Sequence, residues 1–342
     1  YVFKKQSDKL PVPAFVVGSA PSFDESIEVI KKYQDRAIII SCGTTLGLLL
    51  GHGVTPDFHV ELENTPEIRD IIAHISNLYD LSTVRLVASY TITPKVAEFF
   101  STAIYYFRAN LSPEAIFSDG TNSNTLYFDT PTVANLGVSL AQELGCDAVY
   151  MMGIDLGARD VTKHHAVGSM YEEDWIPYDD ILDISMPSNF NDGIILTDAT
   201  FLWAKDSLEW AVTNFFGPNI ERFNCGRGLH INGMKPLRAS EISLEELEIP
   251  KSQIIDPIIS RYPLYTKGDF EKAWDRDERY KSFDIFKREL FSYLNFDDPQ
   301  RGLQYETEGI NRQERRKLKK LKTKRKRVSQ LVGIQHSLAI AK

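Results

Sequence analysis

Residues 131–171 read PTVANLGVSLAQELGCDAVYMMGIDLGARDVTKHHAVGSMY, and this stretch decides the fold. Apolar residues at helical spacing occupy positions 133–144, and the apolar run Ala148–Met152 follows after a glycine. Gly153 and Asp155 then stand where that run ends. A helix, a buried strand and a glycine with a nearby carboxylate are the arrangement of an α/β sheet. Ligands bind at the carboxyl ends of the strands in such sheets, so we expect the functional site here.

The same alternation of apolar runs and helical patterns precedes this stretch. Apolar or alternating runs predict strands at residues 14–18, 37–41, 56–64, 84–88, 103–107 and 148–152. Helical patterns lie between most of these runs, and the one at 66–78 has proline in its first turn, a favoured position for proline. About six strands joined by helices predict an α/β fold with a doubly wound, mostly parallel, Rossmann-like sheet.

Composition and charge divide the chain into three parts. Residues 1–13 are polar and contain proline, which predicts a linker, and residues 14–239 hold the Rossmann-like alternation. Residues 240–342 predict a helical accessory region that includes a basic segment at 312–327. The net charge is −8, but the basic segment carries +10, so the remainder carries −18. An acidic body with one short basic segment argues against a nucleic-acid partner, because nucleic-acid-binding domains spread basic residues over a face.

The remaining bulk properties exclude several classes of protein. Three cysteines without CxxC spacing support neither a zinc site nor a disulfide framework, so a reducing, cytoplasmic location is expected. No apolar run approaches the ~18 residues that a transmembrane helix needs, and no signal peptide is visible. Because the chain begins at Tyr1 rather than at methionine, we expect it to be a piece of a longer protein.

Polar turns follow the first two predicted strands. The sequence GSAPSF at 18–23 leads from a strand into a helix, where a phosphate can bind to free backbone N–H groups. A plain turn in which Ser22 caps the helix explains the same residues, and the local sequence does not separate these interpretations. SCGTT at 41–45 has the same layout, and Cys42 there is better explained as a small buried residue than as a nucleophile.

The third predicted strand ends in acidic and amide side chains. Glu61, Glu63 and Asn64 stand at this end, where they could meet sugar hydroxyls or a metal ion. A solvent-exposed strand end explains the three residues equally well, so both interpretations stay open.

Two further groups of polar residues flank the helix at 133–144 and the strand after it. Thr130 and Thr132 precede the helix, where capping is the commoner role and binding of a ligand oxygen the alternative. His164 and His165 lie in a long polar loop after the strand, and loops of that length are often lids or binding loops.

The motifs occur together in one order. GSAPS follows the first strand, SCGTT follows the second and PDFHVELEN forms the third, and after them come PTVANLGVSLAQELGC, MMGIDLG, KHHAVGS and NCGRGLHINGM. Each motif is weak alone, but the ordered set resembles the motility-associated factor (Maf) family of flagellin glycosyltransferases. The central domain of that family is itself similar to bacterial sialyltransferases. The resemblance covers residues 14–236, about two thirds of the chain.

The resemblance implies an activity and a set of site residues. An enzyme of this kind moves a nonulosonic acid, such as pseudaminic or legionaminic acid, from a CMP-activated donor to Ser or Thr hydroxyls of flagellin. His165 is the implied catalytic residue, with His164 as its alternative, because imidazole titrates near neutrality. Asp155 would orient the imidazole or bind sugar hydroxyls. The residues implied to bind the donor are Gly18, Ser19, Pro21, Ser22, Cys42, Gly43, Thr44, Glu61, Glu63, Asn64, Thr130, Thr132, Gly153 and Ser169.

The resemblance implies no cofactor, because the CMP-sugar is a substrate, and no obligatory divalent metal. Two other functions stay open. A 6-hydroxymethyl-dihydropterin pyrophosphokinase would use ATP and Mg²⁺, with Glu61, Glu63 and Asp155 as metal ligands. A non-catalytic flagellin-binding protein would keep its partner affinity after His165→Ala.

Overall fold

Eleven strands are present in the described part of the computed structural model, which comprises residues 1–5, 10–109, 124–170, 182–217 and 220–274. In chain order they are β1 (Ala14–Val17), β2 (Ile38–Cys42), β3 (Phe58–Glu61), β4 (Arg85–Ser89), β5 (Thr102–Arg108), β6 (Thr125–Leu126), β7 (Ala148–Met152), β8 (Ile184–Pro187), β9 (Ile194–Thr197), β10 (Glu221–Asn224) and β11 (Lys235–Pro236). All but β8 and β9 form one sheet, whereas β8 and β9 pair with each other as an antiparallel hairpin.

Helices cover this sheet and connect its strands. They are α1 (Phe23–Tyr33), α2 (Thr45–Gly51), α3 (Pro66–Leu78), α4 (Val133–Glu143), α5 (Ala199–Trp210), α6 (Lys251–Ser260) and α7 (Lys267–Trp274). The segment predicted as a helix after β4 is a short 3₁₀ helix, Pro94–Phe99, and α5 continues into a π-helical turn, Ala211–Phe215. The predicted alternation of strands and helices is therefore confirmed.

The order of the strands creates a switch point beside β1. The nine strands lie in the order β11-β10-β7-β1-β2-β3-β4-β5-β6, and every adjacent pair is parallel. The chain proceeds outward from β1 to β6 and then returns to place β7 on the other side of β1. The predicted doubly wound, Rossmann-like fold is confirmed, and its ligand crevice should open between the carboxyl ends of β1 and β7.

The apolar strands are explained by burial on both faces of the sheet. Val16 in β1 packs in one cluster with Leu136 of α4, whereas Phe15 packs in another with Ile30 of α1. Successive side chains point to opposite faces, so a strand covered on both sides needs apolar residues at every position. Gly137 lets α4 approach closely, because a Cβ atom there would lie 2.7 Å from the sulfur of Cys42.

The N-terminal segment differs from the predicted linker. Val2 and Phe3 are buried, and their backbone N–H groups donate to Pro263 and Tyr105 at 2.8 Å each. Val12 is also buried. The described residues of this segment therefore pack on the sheet domain, because their apolar side chains find a site that local composition does not reveal.

The predicted boundary after residue 239 also differs from the structure. The first compact unit extends over Tyr1–Ala273, and the second, Trp274–Lys342, begins where the described residues end. Ile255 and Ile258 of α6 belong to the main apolar cluster. Lys251 donates to Asp57 at 2.6 Å, which fixes the start of α6 against the sheet domain. The basic segment at 312–327 lies outside the described residues.

No helix among the described residues is both long and apolar enough to cross a membrane.

Candidate ligand-binding and active site

A cavity of about 390 Å³ opens at the switch point between β1 and β7. Its volume lies within the range of ordinary small-molecule sites. The residues from the sequence prediction that line it are Gly18, Ser19, Cys42, Gly43, Thr44, Glu61, Glu63, Thr132, Gly153, Asp155, His164 and His165. Residues from six separate stretches of sequence thus meet at one edge of the sheet.

Two glycines in the cavity lining let neighbouring strand ends approach each other closely. Gly18 directly follows β1 and Gly153 directly follows β7, and a Cβ atom on Gly18 would lie 2.5 Å from the carbonyl oxygen of Gly153. A Cβ atom on Gly153 would collide with the carbonyl of Gly18, and its φ of +61° lies in the left-handed region. Only glycine lets the two strand ends approach so closely.

One backbone N–H group in each of the first two turns is already bonded. Gly18 donates to Met152 at 2.9 Å, and Gly43 donates to Val60 at 3.2 Å. These two N–H groups are therefore not free to bind a phosphate. The hydroxyls of Ser19 and Thr44 lie 3.1 Å apart across the two turns, and both residues line the cavity.

Asp155 joins the first turn to the glycine-rich segment. Its carboxylate accepts hydrogen bonds from the Ser22 hydroxyl at 2.6 Å, from the Ser22 N–H at 3.1 Å and from the Gly228 N–H at 3.1 Å. Burial raises the pKa of Asp155, and these donors oppose that rise. These contacts hold the carboxylate in place, and the expected role of Asp155, to orient an imidazole or to bind sugar hydroxyls, stays a prediction. Ser22 and Pro21 line a smaller neighbouring cavity of about 140 Å³.

The histidine pair lies against the turn after β1. The Ser19 main chain hydrogen-bonds the imidazole of His165, and its carbonyl also accepts from the N–H of Ala166 at 2.9 Å. Burial, followed by the proximity of His164, lowers the pKa of His165 to about 4. The imidazole is therefore neutral near pH 7. His164 is half-buried, and its Nδ1 is 2.8 Å from the carbonyl oxygen of Val161.

Glu61 is buried at the edge of the cavity, so the interpretation as a solvent-exposed strand end is wrong for this residue. Its side chain is 2% exposed, and burial raises its pKa to about 7. His59, two residues earlier on the same face of β3, is fully buried and was not among the predicted site residues. The alternating sequence of β3 places His59 and Glu61 on one polar face. Only the structure shows that this polar face is buried, which marks both residues as candidates for the site.

Besides Pro21 and Ser22, three predicted residues do not line the cavity. Asn64 is exposed and lines a separate surface pocket with Arg69. Ser169 is buried in the loop after the histidines, and Thr130 precedes the residues that line the cavity wall. Thr132 lines the cavity but also caps α4, since its hydroxyl bonds Asn135 Oδ1 at 2.7 Å.

The carboxylates proposed as magnesium ligands have other partners. Asp155 accepts the three hydrogen bonds described above, and Glu61 Oε1 accepts from the N–H groups of Leu62 and Glu63. Within the described part of the chain, no cluster of three or more His, Cys, Asp or Glu side chains is placed to hold a metal ion.

The fold and the cavity define a Rossmann-like α/β protein with a ligand site at its switch point. Residues 1–161 match the family described as 6-hydroxymethylpterin diphosphokinase MptE-like. The Maf glycosyltransferase from Magnetospirillum magneticum AMB-1 is 31% identical with a TM-score of 0.73, and the match covers 86% of this chain and 44% of that one. The resemblance to the Maf glycosyltransferases is thus confirmed, and the chain spans less than half the length of that relative.

A second solved structure is far less similar. The monofunctional α-2,3-sialyltransferase Cst-I from Campylobacter jejuni is 14% identical with a TM-score of 0.30, over 82% of this chain and 100% of that one. A TM-score this low carries no structural argument. No curated protein matches the chain.

Proposed function

We propose that the chain is a glycosyltransferase that moves a nonulosonic acid from a CMP-activated donor to a Ser or Thr hydroxyl of flagellin. The observation that carries the proposal is the cavity between β1 and β7, because a Maf glycosyltransferase shares the surrounding fold. Ligands of doubly wound sheets bind at this position.

The charges around the cavity favour a donor with a single phosphate. Among the described lining residues there are hydroxyls and carboxyls but no Lys or Arg. Nucleoside diphosphates and triphosphates are usually bound with Mg²⁺ or a lysine that offsets several negative charges. A CMP-sugar carries one phosphodiester, which hydroxyls such as those of Ser19 and Thr44 can bind.

His165 suits the departure of CMP. Burial disfavours the charged ring and lowers its pKa to about 4. A phosphate bound nearby raises that pKa, so the imidazole takes up a proton and then stabilises the charge that develops on the leaving phosphate. This role needs no metal ligand from the protein.

The MptE-like match favours a second candidate, a pyrophosphokinase that uses ATP and Mg²⁺. It would need Glu61, Glu63 and Asp155 to hold the metal. The carboxylate of Asp155 is instead surrounded by Ser22 and Gly228, so the trio does not form a ready cation site. The donor test below distinguishes the two candidates.

Isothermal titration with CMP, and separately with ATP and Mg²⁺, tests the donor class. We expect saturable CMP binding without metal and at least about tenfold weaker binding in Ser19→Ala and Thr44→Ala, since each loses a hydrogen bond to a charged group. Ser260→Ala, an exposed serine at the end of α6, is the matched control. Binding of ATP only in the presence of Mg²⁺, or of neither nucleotide, would refute the CMP donor.

A further inference from the structure

Only one carboxyl oxygen of Glu61 accepts backbone hydrogen bonds, which leaves the other oxygen available for proton transfer. Its Oε1 accepts hydrogen bonds from the backbone N–H of Leu62 at 2.8 Å and of Glu63 at 3.1 Å. Two backbone donors on one oxygen fix the orientation of the group. Glu61 also lines the cavity, so its other oxygen, Oε2, is the atom that can exchange a proton there.

His59 packs directly against that second oxygen. Its Nε2 is 3.9 Å from Glu61 Oε2 and has no hydrogen-bond partner among the described residues. Its Nδ1 is 3.0 Å from the hydroxyl of Ser41, and its ring stacks on Phe100 with centroids 5.8 Å apart. A fully buried polar nitrogen without a partner is rare, and this one faces a carboxyl of the cavity.

The contacts of Ser41 decide which nitrogen of His59 carries the proton. The Ser41 hydroxyl donates to the carbonyl of Phe58 at 3.3 Å, so its oxygen can accept the proton of Nδ1. Burial lowers the pKa of His59 to about 4, so the ring is neutral and its Nε2 carries a lone pair. At 3.9 Å from Oε2, that lone pair disfavours the ionised form of Glu61 and so favours the protonated form.

The other titratable groups around Glu61 supply no positive charge. Glu63, two residues after the end of β3, adds negative charge, while Cys42 on β2 and Tyr106 on β5 stay neutral because burial raises the pKa of each. Together with burial of Glu61 itself, these surroundings place loss of its proton near neutral pH. A base is most effective when its pKa lies near the working pH.

We propose that Glu61 is the catalytic residue that accepts the acceptor's proton, and that His59 is a positioning residue that controls the protonation of Glu61. This inference rests on the proposed function. The acceptor hydroxyl oxygen forms a bond to the anomeric carbon while the bond from that carbon to the phosphate oxygen breaks. The electron pair of the broken bond leaves with CMP. The hydroxyl proton passes to Oε2 of Glu61 and afterwards returns to solvent.

The test compares Glu61→Gln and His59→Asn with the unaltered chain, using CMP-pseudaminic acid and purified flagellin and following the release of CMP. Glu61→Gln should lower kcat at least about 100-fold, the usual contribution of a general base, while CMP affinity stays within about threefold. His59→Asn keeps a donor for Ser41 but removes Nε2. The acid limb of its pH–rate profile should move to lower pH by at least about half a unit.

The control is His52→Asn, an exposed histidine after α2, which should leave the profile in place. A merely structural role for His59 would lower the rate equally at every pH and leave the acid limb where it is. That result, or full activity in Glu61→Gln, would overturn the inference while the proposed function stands. Absence of CMP release by the unaltered chain, with no CMP binding, would instead overturn the proposed function and with it the role of Glu61.

A substrate-free measurement checks the pair directly. Infrared difference titration of the unaltered chain against Glu61→Gln isolates the signal of this carboxyl. It should titrate near 7 in the unaltered chain and at lower pH in His59→Asn. A midpoint near the ordinary value of 4.5 would overturn the inference even if CMP binds.

Discussion

The Ser22 hydroxyl donates to Asp155 at 2.6 Å, across 133 residues of sequence, and thereby ties the turn after β1 to the end of β7. These two strand ends border the switch point of the sheet. The same carboxylate accepts the N–H of Gly228. One buried side chain therefore sets the relative positions of three segments around the cavity.

Asp155→Asn tests whether the hydrogen bonds of this carboxylate stabilise the fold. The three hydrogen bonds of the carboxylate all come from donors, so the amide NH₂ of asparagine must face an N–H or O–H that has lost its acceptor. We expect a loss of about 1–3 kcal/mol in the free energy of unfolding, measured by urea denaturation. Asp206→Asn, an exposed position on α5, should change stability by less than about 0.5 kcal/mol. Equal effects in both variants would contradict the assignment.

Gly153→Ala tests the close approach of the strand ends. The added Cβ would collide with the carbonyl of Gly18, and the backbone φ of +61° disfavours alanine. We expect destabilisation of at least about 2 kcal/mol together with weaker CMP binding. Gly217→Ala places a Cβ in open space and is the matched control. A Gly153→Ala protein with normal stability and CMP affinity would show that the cavity tolerates a side chain there.

The turns, strands and glycines of this site were predictable because their signals are local. An apolar strand followed by Gly18 and Ser19 predicts a turn between a strand and a helix from the local sequence alone. The partners of Asp155 were not predictable, since Ser22 and Gly228 lie 133 and 73 residues away in the sequence. The packing of α6 and of the N-terminal segment was missed for the same reason, because it depends on distant apolar surfaces.

The burial of His59 and Glu61 was not predictable, for a different physical reason. Alternating apolar and polar residues in β3 are typical of a strand with one solvent-exposed face, so the sequence left open whether the polar residues at the end of β3 meet a ligand or solvent. Structure that covers both faces of the sheet buries His59 and Glu61. A strand inside a doubly wound sheet that keeps polar residues on a buried face is therefore a signal for a functional site.

The pKa of Glu61 predicts how stability depends on pH. Because the folded-state pKa is raised from 4.5 to about 7, the folded chain binds more protons than the unfolded chain between these values. This group therefore lowers stability as pH rises through that window, by about 3 kcal/mol in total. Glu61→Gln should gain stability relative to the unaltered chain as pH rises from 4.5 to 7.

The contribution of His59 to stability changes with pH in the opposite direction, over an overlapping pH range. Its pKa is lowered from 6.5 to about 4, so its contribution to stability rises with pH between those values. The pH dependences of stability that Glu61 and His59 contribute partly cancel in the unaltered chain. Comparing each substituted chain with the unaltered chain isolates the contribution of the substituted residue. Urea denaturation at a series of pH values makes the comparison. A Glu61→Gln stability difference that does not vary with pH would show that Glu61 is not perturbed.

His165 should take up a proton when CMP binds. Its pKa of about 4 leaves the imidazole neutral near pH 6, and the phosphate of bound CMP should raise that pKa. Titration calorimetry near pH 6 in buffers of different ionisation enthalpy should report uptake of up to about one proton. His165→Gln should abolish the uptake and His52→Asn should retain it. Identical binding enthalpies in all buffers would contradict the proposed role.

The most direct test of the central claim is the mass of flagellin after incubation with this chain and CMP-pseudaminic acid or CMP-legionaminic acid. We expect the mass of flagellin to increase by one or more nonulosonic acid residues, which fragmentation locates on Ser or Thr. Over the same time, Glu61→Gln should give no increase in mass. Flagellin of unchanged mass, in a reaction where the chain binds both flagellin and CMP, would contradict a glycosyltransferase and favour a non-catalytic binding protein.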